Sequence, residues 1–339
     1  MNTYKRIFEQ LGYTYDVILW DRDGSDASAP IRFCSNGVNL ENSLLKAVSY
    51  VKYSQFIKRT VLANKYDRLV VSGPHLAILL SSFLCKKFKG RYILDYRDIS
   101  VEQKPLLRNI YSKALVNSFC NVVSSPGFKK YLPQEYKYLI SHNFDVEAAA
   151  ASLKSDYPTF NAGSTFDILT IGYIRNYSSN VKLLQSLGGN DDYRLTFAGR
   201  GDADASLKEY ALSHNMGNVE FTGFYKEENE AEIVKKCDFI NIFFPNDIKH
   251  STIMSNRFYL ALIHKKPMIV TAGSIQAAFV REYALGIIVE DCGNLDAEIK
   301  KFILSFDYVS FCERCNKLLS LFIEDYRLLM PTIDSFMHS

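Results

Sequence analysis

The chain has 339 residues, 47% hydrophobic and 23% charged, which leaves room for two domains and has the balance of a soluble globular protein. No apolar run approaches the length of a membrane span, and Met1 to Glu9 are polar and basic without a signal-peptide core, so a cytoplasmic protein is expected. The net charge of +3 hides a split: residues 1–150 hold 21 Lys and Arg against 13 Asp and Glu, the remainder 19 against 24. The basic half is either a solvated face or an attraction to a phosphate-bearing acceptor or an anionic membrane surface; no nucleic-acid partner is expected.

In chain order, Tyr4 to Leu11 reads as a helix and Asp16 to Trp20 as a strand, closed by Asp21-Arg22-Asp23-Gly24. That aspartate-rich turn is read as a turn rather than a metal site. Ser43 to Ala63 is helical. Arg68 to Ser72, Tyr92 to Leu94 and Asn121 to Val123 are short strands, separated by the apolar helices Leu76 to Phe88 and Leu106 to Phe119. Gly73-Pro74-His75, Asp95-Tyr96-Arg97-Asp98 and Ser124-Ser125-Pro126-Gly127 form the exits of those strands. Ala148 to Thr165 reads as a linker, so residues 1–150 form one domain and 162–317 a second, with 318–339 a terminal helix packing back on the first.

The second domain has the clearer rhythm. Phe166 to Ile171 is a strand ending at Gly172. Tyr193 to Ala198 is a strand ending at Gly199-Arg200-Gly201. Asn218 to Phe221 ends at Gly223, and Phe239 to Phe244 at Pro245. Helical patterns follow at Val181 to Leu187, Ala205 to His214 and Glu227 to Lys236. Such alternation predicts βαβ units and parallel sheets in an α/β fold, with strands covered on both faces. Glycine where strands hand over to helices marks the edge at which such sheets bind ligands and hold anions at helix N-termini. The architecture expected is two Rossmann-like domains facing one another.

The seven cysteines form no disulfide framework. Cys312 and Cys315 have redox or metal spacing, but they fall within a helical run with no second pair nearby and are read as packing residues.

Tyr92-Ile-Leu-Asp-Tyr-Arg-Asp98, Ser124-Ser-Pro-Gly127 and His142-Asn-Phe-Asp145 resemble the N-terminal half of bacterial family 4 glycosyltransferases. Ala198-Gly-Arg-Gly201, Asn218-Val-Glu-Phe-Thr-Gly223, Ser255-Asn-Arg-Phe-Tyr-Leu-Ala-Leu262 and Lys265-Lys-Pro-Met-Ile-Val270 resemble their donor-binding half. The resemblance spans nearly the whole chain and keeps the family's order. It implies a GT-B fold and retaining, metal-independent transfer of a sugar from a nucleotide-diphosphate donor, with no resident cofactor. The acceptor it implies is a saccharide or polyprenol-diphosphate-linked saccharide of capsule or O-antigen type. Two departures stand out. The family's paired glutamates, one of which binds ribose hydroxyls, are replaced by Thr252 and Leu260. The usual first strand and its loop are not found, so the chain begins at what should be the first helix.

Departure of a nucleotide diphosphate without a metal needs fixed cations and backbone N–H donors. The resemblance assigns that task to Arg175 beside the Gly172 turn, with Arg200 after Gly199 as a second cation. Asn256 and Arg257 open the helix Phe258 to His264, where N–H groups and the guanidinium would hold phosphate or sugar. His250 lies in the loop after Pro245, where the family contacts its donor. On the acceptor side His75 and Asp98 are candidates to orient or deprotonate a hydroxyl. Arg97 is expected to pair with Asp98 or to cap a turn. The rival readings are a non-catalytic relic acting as an assembly partner and a nucleotide-sugar epimerase, for which no converging acid/base carboxylates are found. A dinucleotide-binding Gly-x-Gly-x-x-Gly is absent from the sequence.

Overall fold

The computed structural model describes residues 2–22, 31–34, 43–158, 160 and 163–339. The chain forms two compact units: Met1–Asn143 with Asp325–Ser339, and Phe144–Glu324. Asp23 and Gly24, expected in the first turn, lie outside the described residues.

The first unit opens with helix α1 (Asn2–Leu11), followed by a parallel two-stranded pair, β1 (Ile18–Asp21) with β2 (Ile31–Cys34). Asp21 closes β1 rather than sitting in the turn; it is buried and lies 3.5 Å from Arg32 of the neighbouring strand. After α2 (Ser43–Ala63) comes a parallel sheet of four strands in consecutive order: β3 (Leu69–Ser72), β4 (Tyr92–Tyr96), β5 (Cys120–Val123) and β6 (Tyr138–Ile140). Helices α3 (Pro74–Lys87) and α4 (Pro105–Asn117) make the crossovers and pack on each other, and α2 packs against α3. Each crossover helix starts with proline, whose missing N–H costs nothing in a first turn. β4 runs two residues past Leu94, where the sequence pattern ends it, and all five of its residues are buried.

In the second unit, helix α5 (Val146–Ser152) occupies the start of the expected linker, capped by the Asp145 carboxylate, which accepts from the N–H groups of Glu147 and Ala148. Six parallel strands follow: β7 (Phe166–Ile171), β8 (Tyr193–Ala198), β9 (Val219–Gly223), β10 (Phe239–Ile242), β11 (Met268–Thr271) and β12 (Gly286–Val289). The helices between and beyond them are α6 (Tyr177–Leu187), α7 (Asp204–Ser213), α8 (Glu230–Lys235), α9 (Ile248–Thr252), α10 (Asn256–Ile263), α11 (Ile275–Tyr283), α12 (Leu295–Leu304) and α13 (Tyr308–His338).

The spatial order is β12-β11-β10-β7-β8-β9. Counted from β7, that is the doubly wound order whose direction reverses between its first and fourth strands. Alternate residues feed cores on opposite faces: Leu169, Ile171, Ile240, Ile242 and Val270 on one, Ile168, Phe239 and Ile269 on the other. Cys312 and Cys315 are fully buried in the first of these cores, on α13, so they act as packing residues.

The last stretch of α13 belongs to the first unit. The Tyr326 hydroxyl donates to Gln10 Oε1 at 2.8 Å, the Tyr13 hydroxyl to Asp334 Oδ1 at 2.7 Å, and Arg68 Nε to the Phe336 carbonyl at 2.7 Å. The buried His142 meets Asp325 at 3.0 Å.

Candidate functional site

Between β7 and β10 the backbone ladder pairs only Phe239 with Ile168 and Ile240 with Leu169. Beyond that the two strands part, and side chains bridge the gap. Asn241, 1% exposed, donates from Nδ2 to the Thr170 hydroxyl at 2.9 Å and accepts from the Phe243 N–H at 3.0 Å. Arg257 reaches in from the first turn of α10. Its Nε donates to the Ile171 carbonyl at 2.6 Å, Nη1 to the Asn241 carbonyl at 3.2 Å and Nη2 to the Tyr173 carbonyl at 3.5 Å.

This guanidinium therefore holds open the C-terminal ends of β7 and β10. It is buried, and among the described residues no carboxylate pairs with it. Burial first, and the neighbouring Arg175 second, push its pKa down to about 10. It stays charged at neutral pH, as a concentrated positive field at the crevice where doubly wound sheets bind ligands.

The loop after β7 is set by glycine. A Cβ on Gly199 would stand 1.9 Å from the Gly172 carbonyl oxygen, and one on Gly201 2.0 Å from that of Ile174. The exits of β7 and β8 thus lie backbone on backbone, joined by Gly172 N–H to the Ala198 carbonyl and Ile174 N–H to the Arg200 carbonyl. Gly199 is therefore a position of close backbone approach, where no side chain fits. Gly172 is different, with φ of 94° and open space where a Cβ would point.

Arg175 is exposed, with its guanidinium 4.9 Å from the Tyr173 ring, and has no carboxylate partner among the described residues. Arg200 is exposed at the end of β8. Asn256 is the exposed first residue of α10, where the Ser255 hydroxyl caps the Arg257 N–H at 3.3 Å.

His250, on the short helix α9, gathers the two loops. Its Nδ1 lies 2.7 Å from Asp247 Oδ2 and its Nε2 3.4 Å from the side chain of Asn176, which follows Arg175. A pocket beside it is lined by Ile242, Phe244, Pro245, Asn246, Ser251, Thr271, Ser274 and Gln276. The sequence reading missed the polar half of this lining: Thr271 ties β11 to the exit of β10 by bonds of 2.7 and 2.8 Å to Phe244, and Gln276 accepts from the Ser255 N–H at 3.0 Å. Neither departure from the glutamate pair leaves a free acceptor. Thr252 is buried with its hydroxyl on the Ile248 and Lys249 carbonyls, and Leu260 packs on the core.

The C-terminal edge of the first unit's sheet carries the opposite chemistry. Asp95, 1% exposed, binds Arg97 Nε at 2.5 Å and the Ser72 hydroxyl at 3.1 Å. Arg97 thus pairs with the strand residue two before it, not with Asp98. Asp95 Oδ1, Arg97 Nη2 and the Tyr4 hydroxyl are buried without a hydrogen-bond partner among the described residues. Glu102, equally buried, accepts from the Tyr96 hydroxyl at 2.5 Å and the Ser100 N–H at 2.9 Å, with Oε2 unpartnered. His75 stacks on Tyr50 with ring centroids 4.7 Å apart, its Nε2 3.1 Å from the Ser100 hydroxyl. Burial lowers its pKa, partly offset by Glu102 and Asp98. Asp98 itself is exposed. Two of the three carboxylates here escaped the sequence reading, although Asp95-x-Arg97 is a same-face spacing on a strand.

No family model and no curated protein matches the sequence. Solved structures do match the fold. Sucrose-phosphate synthase from Thermosynechococcus elongatus superposes with a TM-score of 0.70 at 14% identity, covering 100% of this chain and 94% of the other. An E. coli trehalose-6-phosphate protein bound with UDP-2-fluoro glucose gives 0.67 at 10% identity, covering 98% and 94%. Anabaena HepE in complex with UDP gives 0.61 at 12%, covering 98% and 89%. The chain has the α/β fold of the GT-B type, with two Rossmann-like units of parallel sheet.

Proposed function

We propose that this chain is a glycosyltransferase that binds a nucleotide-diphosphate sugar at the parting of β7 and β10. The observation that carries the reading is Arg257: a buried cation with no carboxylate partner among the described residues, placed at the crevice with Arg175 beside it. A ligand diphosphate is the counter-ion such an arrangement lacks, and its charge grows as the glycosidic bond breaks. The fold agrees, since two of its neighbours were solved with UDP or a UDP-sugar bound. The nucleotide sugar is a co-substrate, and the reading calls for no resident cofactor or metal. Retention of configuration and a lipid-linked saccharide acceptor follow from the family resemblance. On the acceptor side the exposed Asp98 suits a sugar hydroxyl, with His75 as the proton-handling group.

A second reading is favoured by Thr252 and Leu260. With neither able to bind ribose hydroxyls as the family's glutamates do, the chain is a non-catalytic relative that uses the fold for assembly. Thermal melting against uridine, guanosine, adenosine and cytidine diphosphates and their sugars separates the two. A ligand at a hundred times its Kd stabilises by about 2.7 kcal/mol. A shift with one base that Arg175→Ala removes supports the transferase; no shift with any of them supports the assembly partner.

A further inference from the structure

Helices α2, α3 and α4 hold eight lysines and arginines and not one aspartate or glutamate. They lie side by side, α2 on α3 and α3 on α4. Lys46, Lys52, Arg59, Lys86, Arg108 and Lys113 are exposed, and among the described residues none of them has a carboxylate within ion-pair distance. A solvated helix face ordinarily mixes both signs, which lowers self-repulsion and adds pairs three and four residues apart. Repulsion among like charges is left standing here.

These helices also carry apolar side chains in the open, and on α2 two of the cations, Lys52 and Arg59, stand among them. On α2, Val48, Val51, Lys52, Gln55, Arg59 and Leu62 fall within one arc of the helix and are all exposed, Val48 by 50% and Leu62 by 57%. On α4, Leu106 is 75% and Val116 60% exposed. Valine and leucine interleaved with lysine and arginine are what an interfacial helix presents to a bilayer: alkyl groups enter the headgroup region while cations meet lipid phosphates. A single-stranded nucleic acid would call for aromatic side chains among the cations, to stack on bases, and the exposed large hydrophobics of these helices are all leucine and valine.

We infer that the α2–α3–α4 layer is a docking surface for an anionic lipid bilayer. It brings the first unit to a membrane as a peripheral protein, by charge and shallow insertion; no helix among the described residues is long and apolar enough to cross one. The inference is independent of the transferase reading.

The test is co-sedimentation of the full chain with two sets of vesicles, phosphatidylcholine alone and phosphatidylcholine containing phosphatidylglycerol. Binding to the anionic set alone is expected, weakening as salt is raised. Lys52→Glu with Arg59→Glu should weaken it by at least about tenfold, and Val48→Ser with Val51→Ser should weaken it without changing the salt dependence. Lys208→Glu, on exposed α7 of the other unit, should leave it unchanged. Both double variants alter exposed side chains and should melt with the parent; the salt titration of the parent chain tests the proposal even if one does not. Equal binding to neutral vesicles, binding to neither set, or capture of a short duplex oligonucleotide at a salt where anionic vesicles are not bound would each overturn it.

Discussion

The two sheet edges of this protein are built on the same plan and filled with opposite chemistry. At the end of β4 the buried groups are carboxylates, Asp95 and Glu102, each with one oxygen still unpartnered among the described residues. At the parting of β7 and β10 the buried group is a guanidinium, and its partners are carbonyls, not acids. Buried carboxylates at an edge repel an anion; uncompensated cations at an edge attract one. The fold supplies the crevice in both cases, and a handful of side chains decides what enters it.

That contrast can be broken from either side. The largest effect is expected from Gly199→Ala. The new Cβ would overlap the Gly172 carbonyl, at a φ of 133° that alanine adopts badly. We expect a loss of about 4 kcal/mol or more in urea unfolding, with loss of nucleotide binding in whatever folds. Asp95→Asn should come next. It leaves Arg97 without its acid, at a cost of about 3 kcal/mol, yet nucleotide-induced thermal shifts should persist, because the other edge is intact.

A smaller effect concerns pH. Burial first, then Lys266, Lys235 and Lys265, push the His264 pKa down to about 4 from 6.5. The unfolded chain takes up that proton at higher pH than the native one. Stability from this group is therefore present above about pH 6.5 and lost as pH falls towards 4, by on the order of 2 kcal/mol. Asp167, Asp238 and Glu230, raised chiefly by burial, work in the opposite sense over that range, so the measurement is the difference between the parent and His264→Asn. A flatter pH profile in the variant is expected. The smallest change in stability, within about 0.5 kcal/mol, is expected for the exposed Arg175→Ala, although its loss of nucleotide affinity should be about tenfold or more.

What could be read ahead of the structure follows from how locally each feature is encoded. Strands β7 and β8 are apolar runs closed by glycine, and their limits were legible to the residue; so were those of α2. Strand β4 was cut short at Leu94 because aspartate and tyrosine are poor evidence for burial. Asp95 is buried only because Arg97 and Ser72, one of them on another strand, satisfy its charge. β2 went unseen: four residues with alternate exposure, between polar stretches, carry little periodicity. Arg257 is legible as a ligand for phosphate or sugar, not as a brace. Its guanidinium secures three carbonyls from two strands and a loop, and two of those pairings span more than 80 residues, which no local pattern records. Asn241 was hidden for the same reason, inside an apolar run whose polar member bonds to Thr170 across the parting strands.

The last helix carries a consequence for biosynthesis. The first unit takes its final residues, Asp325–Ser339, from the far end of the chain, where Tyr326, Asp334 and Phe336 bond to Gln10, Tyr13 and Arg68. During translation Met1–Asn143 leaves the ribosome early but waits for some 180 intervening residues, the whole of the second unit, before it can close. The second unit is continuous and free to fold first. Vectorial synthesis thus makes the half that emerges last the earlier to mature, and a stop codon anywhere before residue 325 leaves the first half unsealed.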